Sequence, residues 1–340
     1  MSAIDNLISS IRDFPDELIN KLQKIADEMV PESKKTSIPS CVRCGGNHVY
    51  RNGHKCGKQA YLCRDCRKSF VETTNTLMYH SHFGKEVWDK VTEDTLACKS
   101  IDKTAAELGI EHHTVFNMRH KILKALEDSD EESPIELGEV TELDETYVLE
   151  SYKGSKADLE NAGRKSRKHG AKAKKPGISS EYVCICAGVE RKGEAYAHTV
   201  NRAKPSKSEL QSVFNGHISE GTLALCDGLK AYKYLEALSG CTVSDVNTAQ
   251  SNEKSFYNLN TINNFHSFIK QQYRAFRGVA TKYLNRYNAL LAASYRNSGE
   301  RGKKIVQRVC LCSSESHFHS NADVIHDKLL SLPWNYACLT

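Results

Sequence analysis

Cys41 and Cys44 form one C-x2-C pair, Cys63 and Cys66 another, and 18 residues separate them. Each pair fits a tight turn that aims two thiolates at one ion, and four sulfurs complete a tetrahedral shell for Zn²⁺. Such a shell has no open position, so the zinc it implies is structural. Cys56, His48 and His54 lie between the pairs but have no partner at matching spacing, and they are read as bystanders. A second kind of chemistry rests on carboxylates. Glu142 and Asp144 stand two apart in a strand-like stretch and therefore share a face. Asp227 follows the apolar run 222–226, at a strand's end. Carboxylates on two strands are the minimum oxygen donor set for a shared Mg²⁺ site.

Positioning these groups requires several modules, because 340 residues exceed what one hydrophobic core usually serves. Residues 1–30 show apolar spacings of three and four, broken by Pro15 and Pro31, which predicts two amphipathic helices. Residues 39–79 read as short β pieces around an Asn52-Gly53 turn, a unit too small to be stable without a staple. Residues 102–108, Gly109 and residues 111–126 predict two helices joined by a turn, a helix-turn-helix. Its second helix is expected to expose His112, His113, Asn117, Arg119, His120, Lys121 and Lys124 to a major groove. The acidic run 128–133, ending at Pro134, reads as an exposed linker and the main domain boundary. Beyond it, strands (138–148, 181–191, 194–200, 222–226) precede and alternate with helices (207–215, 229–238, 261–276, 281–295).

The formal charge is +5, from 47 basic and 42 acidic side chains, and the excess lies at residues 43–68 and 163–177. The second stretch carries Arg164, Lys165, Arg167, Lys168, Lys172, Lys174 and Lys175 within fifteen residues, a loop suited to grasping DNA backbone. Thirteen cysteines, an odd number in a long chain, indicate reduced thiols rather than a disulfide scaffold. No apolar run approaches the roughly 18 residues of a membrane helix. The expectation is a soluble protein of a reducing compartment, cytoplasmic and nucleoid-associated in a bacterium or nuclear in a eukaryote.

Taken together, the stretches 61–70, 142–147, 227–232, 260–270 and 276–283 resemble insertion-sequence transposases that carry an N-terminal zinc ribbon and an ISXO-like DDE domain. The resemblance implies an RNase H-like fold, and with the readings above the chain is expected to be multidomain α+β: an N-terminal helical segment (1–35), a zinc ribbon (36–80), a helix-turn-helix region (81–128), an RNase H-like mixed α/β transposase domain (129–300) and a C-terminal extension (301–340) of no assigned role. It maps the catalytic aspartates to Asp144 and Asp227, the third acidic position to Asn263 and the accompanying lysine to Lys270. An Asn carbonyl can coordinate a metal, but it brings no charge and cannot act as a general base. The resemblance further implies two catalytic Mg²⁺ or Mn²⁺ ions, cleavage and strand transfer, double-stranded DNA as partner (transposon ends and target), and a homo-oligomer on DNA. Two alternatives remain open at this level. One is a catalytically silent, domesticated DNA-binding regulator, which the Asn at 263 allows; the other is a nuclease that cleaves without joining.

Overall fold

The computed structural model describes residues 38–296, apart from positions 56, 75, 80, 133, 164, 168–172, 175, 229 and 247–255, together with Leu330 and Leu332. The helices expected over 1–30, nearly all of 301–340, and Arg164, Lys168, Lys172 and Lys175 lie outside the described residues. The chain divides into two compact units between Glu72 and Thr73.

The first unit is an antiparallel sheet of β1 (Val49–Lys55), β2 (Lys58–Cys63) and β3 (Ser69–Val71), in that order. Among its described residues the buried apolar cluster is Cys41, Val49, Cys63 and Phe70, with Ala60 of β2 also buried and Tyr61 stacked on Phe70 at 5.4 Å between ring centroids. The hairpin turn is not at Asn52-Gly53. Those residues lie inside β1, at an irregularity between Arg51 and His54, and Lys55 pairs with Lys58. Gly57, with φ +75°, supplies the left-handed conformation that the two-residue connection needs.

The second unit begins with α1 (Lys85–Leu96), α2 (Ile101–Leu108) and α3 (His112–Glu132). Ser100 caps α2 by accepting a hydrogen bond from the Lys103 N–H, and Gly109 ends it at φ +62°. Trp88 and Val91 of α1 and Val115, Met118, Ile122 and Leu123 of α3 belong to one buried core. Asp94 of α1 is buried and joins α2 by accepting from the Thr104 hydroxyl at 2.9 Å, with Lys90 and Lys99 paired to it at 2.8 and 3.2 Å. Burial alone would raise its carboxyl, but hydrogen bonds from Lys90, Thr104 and Lys99 hold it below the usual range.

Two expectations are corrected here. The stretch read as a linker is helical as far as Glu132. Asp128 pairs with Lys124 one turn back, and Glu127, just before the stretch, pairs with Arg286, which is 159 residues away. The second correction concerns α3. Arg119, His120, Lys121 and Lys124 are at most 8% exposed, so these four are not presented to a groove. Arg119 donates to the Lys99 carbonyl and Thr95 hydroxyl, and His120 lies among the rings of Phe116, Tyr283 and Tyr287. Long cationic side chains bury where carbonyls, hydroxyls and carboxylates receive their heads, a circumstance that helical periodicity does not reveal. His112 and His113 remain exposed, and Asn117 is half-buried.

The rest of the unit is a five-stranded sheet sandwiched by helices. In chain order its elements are β4 (Val140–Leu149), α4 (Lys156–Asn161), β5 (Tyr182–Glu190), β6 (Ala195–Arg202), α5 (Lys207–Phe214), β7 (Leu223–Cys226), α6 (Leu235–Ser239), β8 (Thr242–Asp245), α7 (Asn260–Ala275) and α8 (Leu284–Arg296). The strand order is β6-β5-β4-β7-β8: β4, β5 and β6 pair antiparallel, while β7 runs parallel to both β4 and β8. Alternation along β5 divides the core into two layers. Val183, Ile185, Ala187 and Val189 join the core of α7 and α8, and Cys184 and Cys186 join that of α5 and α6. The helix expected at 229–238 is a 3-10 turn, Tyr232–Tyr234, followed by the five-residue α6. β8 and α4, too short for a periodic signal, were not anticipated.

Candidate active site and metal centre

Strand β4 is central, and its register organises the site. Glu142 lies beside Leu225 of β7. The pairing ends there, and Asp227 follows just past the end of β7, near enough to Asp144 for its charge to act on that carboxyl. Asp227 lies one residue past β7 and is exposed, whereas the Asp144 side chain is 19% exposed. Burial, reinforced by the negative charges of Asp227 and Glu145, raises the Asp144 carboxyl to about 7, against the opposing pull of Lys270. Glu145 points to the opposite face, where it accepts a 2.8 Å hydrogen bond from the buried Tyr232 hydroxyl. Burial and the charge of Asp227 raise it too, although the Tyr232 bond opposes the shift.

Helix α7 runs along β4 on the face of Asp144. The Ile262 N–H donates to Glu142 at 2.9 Å, and His266 Nδ1 lies 3.5 Å from an Asp144 oxygen. The two contacts are four residues apart on the helix, about 6 Å, and two apart on the strand, about 6.6 Å, so the elements climb together. Asn263, His266 and Lys270 fall at i, i+3 and i+7, one stripe of the helix. Asn263 and Lys270 are exposed, and His266 is buried, with no hydrogen-bond partner at Nε2. Burial first, and then Lys270, pull the imidazole down to about 4, so it is neutral at pH 7.

Sequence reasoning put Glu142 on the face of Asp144 as an oxygen donor, but both its oxygens are engaged elsewhere. One accepts from Arg191 Nε at 2.7 Å and the other from Ile262 N–H. Arg191 was missed altogether, because nothing near it in sequence announces a role. The loop after α4 was read as suited to grasping DNA backbone, yet its Arg167 is held by the protein itself. It donates to the Glu150 carbonyl and pairs with Glu181 at 3.2 Å. Lys165 and Lys174 are exposed.

In the first unit, Cys41, Cys44, Cys63 and Cys66 form the one group among the described residues with metal-ligand geometry, all four sulfurs within 4.8 Å of one another. The Cys41–Cys66 and Cys44–Cys63 Sγ separations are both 3.7 Å. Zn–S bonds of about 2.3 Å in a tetrahedron require sulfurs about 3.8 Å apart, a spacing that these two pairs already meet, so the residues present suit a zinc ion.

Residues 136–297, which span the sheet and α7 and α8, match the family described as ISXO2-like transposase domain. That match covers slightly under half of the chain. An uncharacterized protein in the transposable element ISH50 of Halobacterium salinarum is 26% identical to it over 197 residues, 58% of this chain and 64% of that relative's length. The chain thus spans slightly under two thirds of the curated relative it matches. A solved structure, described as a pre-cleavage Mos1 transpososome, aligns with 64% of this chain and 75% of its own, at 12% identity. Its TM-score of 0.24 is too low to carry an argument. Among the described residues no helix is long and apolar enough to cross a membrane.

Proposed function

We propose that the chain cleaves DNA at transposon ends and joins the freed 3′-hydroxyl to target DNA, at a site built from Asp144, Asp227, Asn263 and Lys270. The observation that carries the reading is that Asp227, one residue past the strand running parallel to β4, lies close enough to Asp144 for its charge to raise that carboxyl, within the segment that matches an ISXO2-like transposase domain. Two neighbouring carboxylates, one of them buried with its proton held to about pH 7, form an oxygen donor set of the kind that takes a divalent cation. The residues present therefore suit Mg²⁺ or Mn²⁺, with Asp144 and Asp227 as charged ligands and the Asn263 amide oxygen as a neutral one. Bound divalent ions, two in this reading, would supply Lewis acidity toward the phosphodiester and lower the pKa of an attacking water or hydroxyl.

The protein's own part is mainly positional. Asp144 must give up its proton on loading, and His266, neutral and buried, packs against it and keeps water from that side. Lys270 offers a point charge to a phosphate oxygen. Neither cleavage nor joining calls for a covalent protein intermediate. The sheet, with three antiparallel strands followed by two parallel ones, supports an RNase H-like assignment for residues 129–300. The Ser100-capped α2, the Gly109 turn and α3 support a helix-turn-helix within 81–128, with His112, His113 and Asn117 as its accessible polar groups. In the ribbon of 36–80, four cysteines would hold structural zinc. DNA is the partner, and two ends require a homo-oligomer.

The test is strand cleavage and joining on end-containing DNA with Mg²⁺ or Mn²⁺, comparing the wild type with Asp144→Ala and Asp227→Ala. Loss of both products in both variants is expected. Equal absence of product in all three proteins would leave a DNA-binding regulator, and cleavage without joined products would leave a nuclease.

A further inference from the structure

Glu142 is fully buried and sits two residues from Asp144, yet each of its oxygens accepts a hydrogen bond from elsewhere, one from Arg191 and one from the Ile262 N–H. It meets α7 where that helix most needs an acceptor. The N-cap residue is Leu259, which offers no side-chain oxygen, and the first-turn donors are supplied from outside. The Asn260 N–H is taken by the Asn258 side chain at 3.1 Å, and the Ile262 N–H by Glu142. A carboxylate at a helix N-terminus also complements the helix dipole. The other Glu142 oxygen holds Arg191, whose Nη2 donates to the Phe256 and Asn258 carbonyls at 2.8 and 3.0 Å. The guanidinium also lies over the Phe256 ring, 5.0 Å from its centroid. A single carboxylate thus joins β4, the end of β5 and the segment that enters α7.

We infer that Glu142 and Arg191 are positioning residues, a clamp that fixes the first turn of α7, and with it Asn263, against the Asp144–Asp227 pair. Its link to catalysis rests on the function proposed above; the clamp itself rests on the geometry alone. Asn263 directly follows Ile262, so its side chain departs from a backbone pinned one residue earlier. The neutral oxygen of Asn263 has no charge with which to draw itself toward an ion, so its placement depends on the backbone that carries it. The next tie between α7 and β4 is His266 beside Asp144, one turn later and longer at 3.5 Å.

The test uses the full chain and four substitutions: Glu142→Gln, Arg191→Lys, Asp144→Asn and Asn263→Ala. Arg191→Lys keeps the charge but loses the two-edged fork, and it serves as the second variant if Glu142→Gln does not fold. Amide hydrogen exchange over residues 260–263 is expected to quicken by about ten- to a hundred-fold in both clamp variants, the factor for losing a hydrogen bond to a charged group, with β5 and α8 unchanged. Mn²⁺ affinity should stay within about threefold of wild type in Glu142→Gln while falling much further in Asp144→Asn, because only the latter removes a charged ligand. The joining rate should drop with DNA affinity unchanged, and Glu142→Gln should add less than about twofold on an Asn263→Ala background, since the two act as a unit. Unchanged exchange at 260–263, Mn²⁺ loss equal to that of Asp144→Asn, or full additivity with Asn263→Ala would each overturn the inference. If the wild type neither cleaves nor joins, the catalytic reading fails, and the clamp is decided by exchange alone.

Discussion

Loading a divalent cation at the Asp144–Asp227 pair should release a proton. Asp144 is raised to about 7 by burial first and by the charge of Asp227 second. Metal binding selects the ionised form. For a group titrating near 7, about half is ionised at pH 7, about a tenth at pH 6 and about nine tenths at pH 8. The sign follows: Mn²⁺ affinity rises with pH, by about tenfold between pH 6 and pH 8, and about half a proton is released per site at pH 7. His266, lowered to about 4, stays neutral across this window and does not contribute. Because burial outweighs the neighbouring charge, Asp227→Asn should lower the Asp144 pKa without restoring the ordinary carboxylate value. The assay is titration calorimetry of the metal-free chain in buffers of different ionisation enthalpy, which reads proton release directly. Affinity constant from pH 6 to 8, or the same release from Asp144→Asn, would refute the reasoning.

Lys270 pulls the Asp144 carboxyl down, so Lys270→Met should move the same pH profile upward; a downward move would contradict the arrangement. One zinc per chain is expected from elemental analysis, and Cys63→Ser should both lose it and expose residues 38–71 to protease, since the ribbon buries almost nothing besides its cysteines, Val49 and Phe70. Slow amide exchange persisting there after zinc removal would show a fold independent of metal. Asn288 is buried between the Tyr273 hydroxyl, which donates to it at 2.6 Å, and the Thr199 hydroxyl, to which it donates at 3.0 Å. Asn288→Leu should therefore cost about 2–5 kcal/mol in urea unfolding, the penalty of orphaning two buried hydroxyls. Lys124 is 3% exposed and paired with Asp128, so Lys124→Met should lower the melting temperature and leave the salt dependence of DNA binding unchanged. A log–log slope reduced by about one would instead place that ammonium on a phosphate.

Much of this was written locally. The paired C-x2-C turns specify a tetrahedral sulfur site through covalent spacing alone, and α2, the Gly109 turn and the start of α3 follow from a cap, a left-handed residue and apolar period. β5, β6 and β7 were legible because long apolar or alternating runs leave few other conformations. Short-range patterns cannot register which distant group answers a charge. Asp128 read as the start of a linker until Lys124 met it, and four cationic or imidazole side chains of α3 read as a DNA-facing surface until the helix turned them inward. Glu142 shows the same limit at the site itself. Its alternation with Asp144 correctly gave its face, but whether a carboxylate on that face binds a cation or caps a helix depends on which donors arrive beside it. Arg191 and Ile262, 49 and 120 residues away, are brought there only by the packing of the sheet and α7.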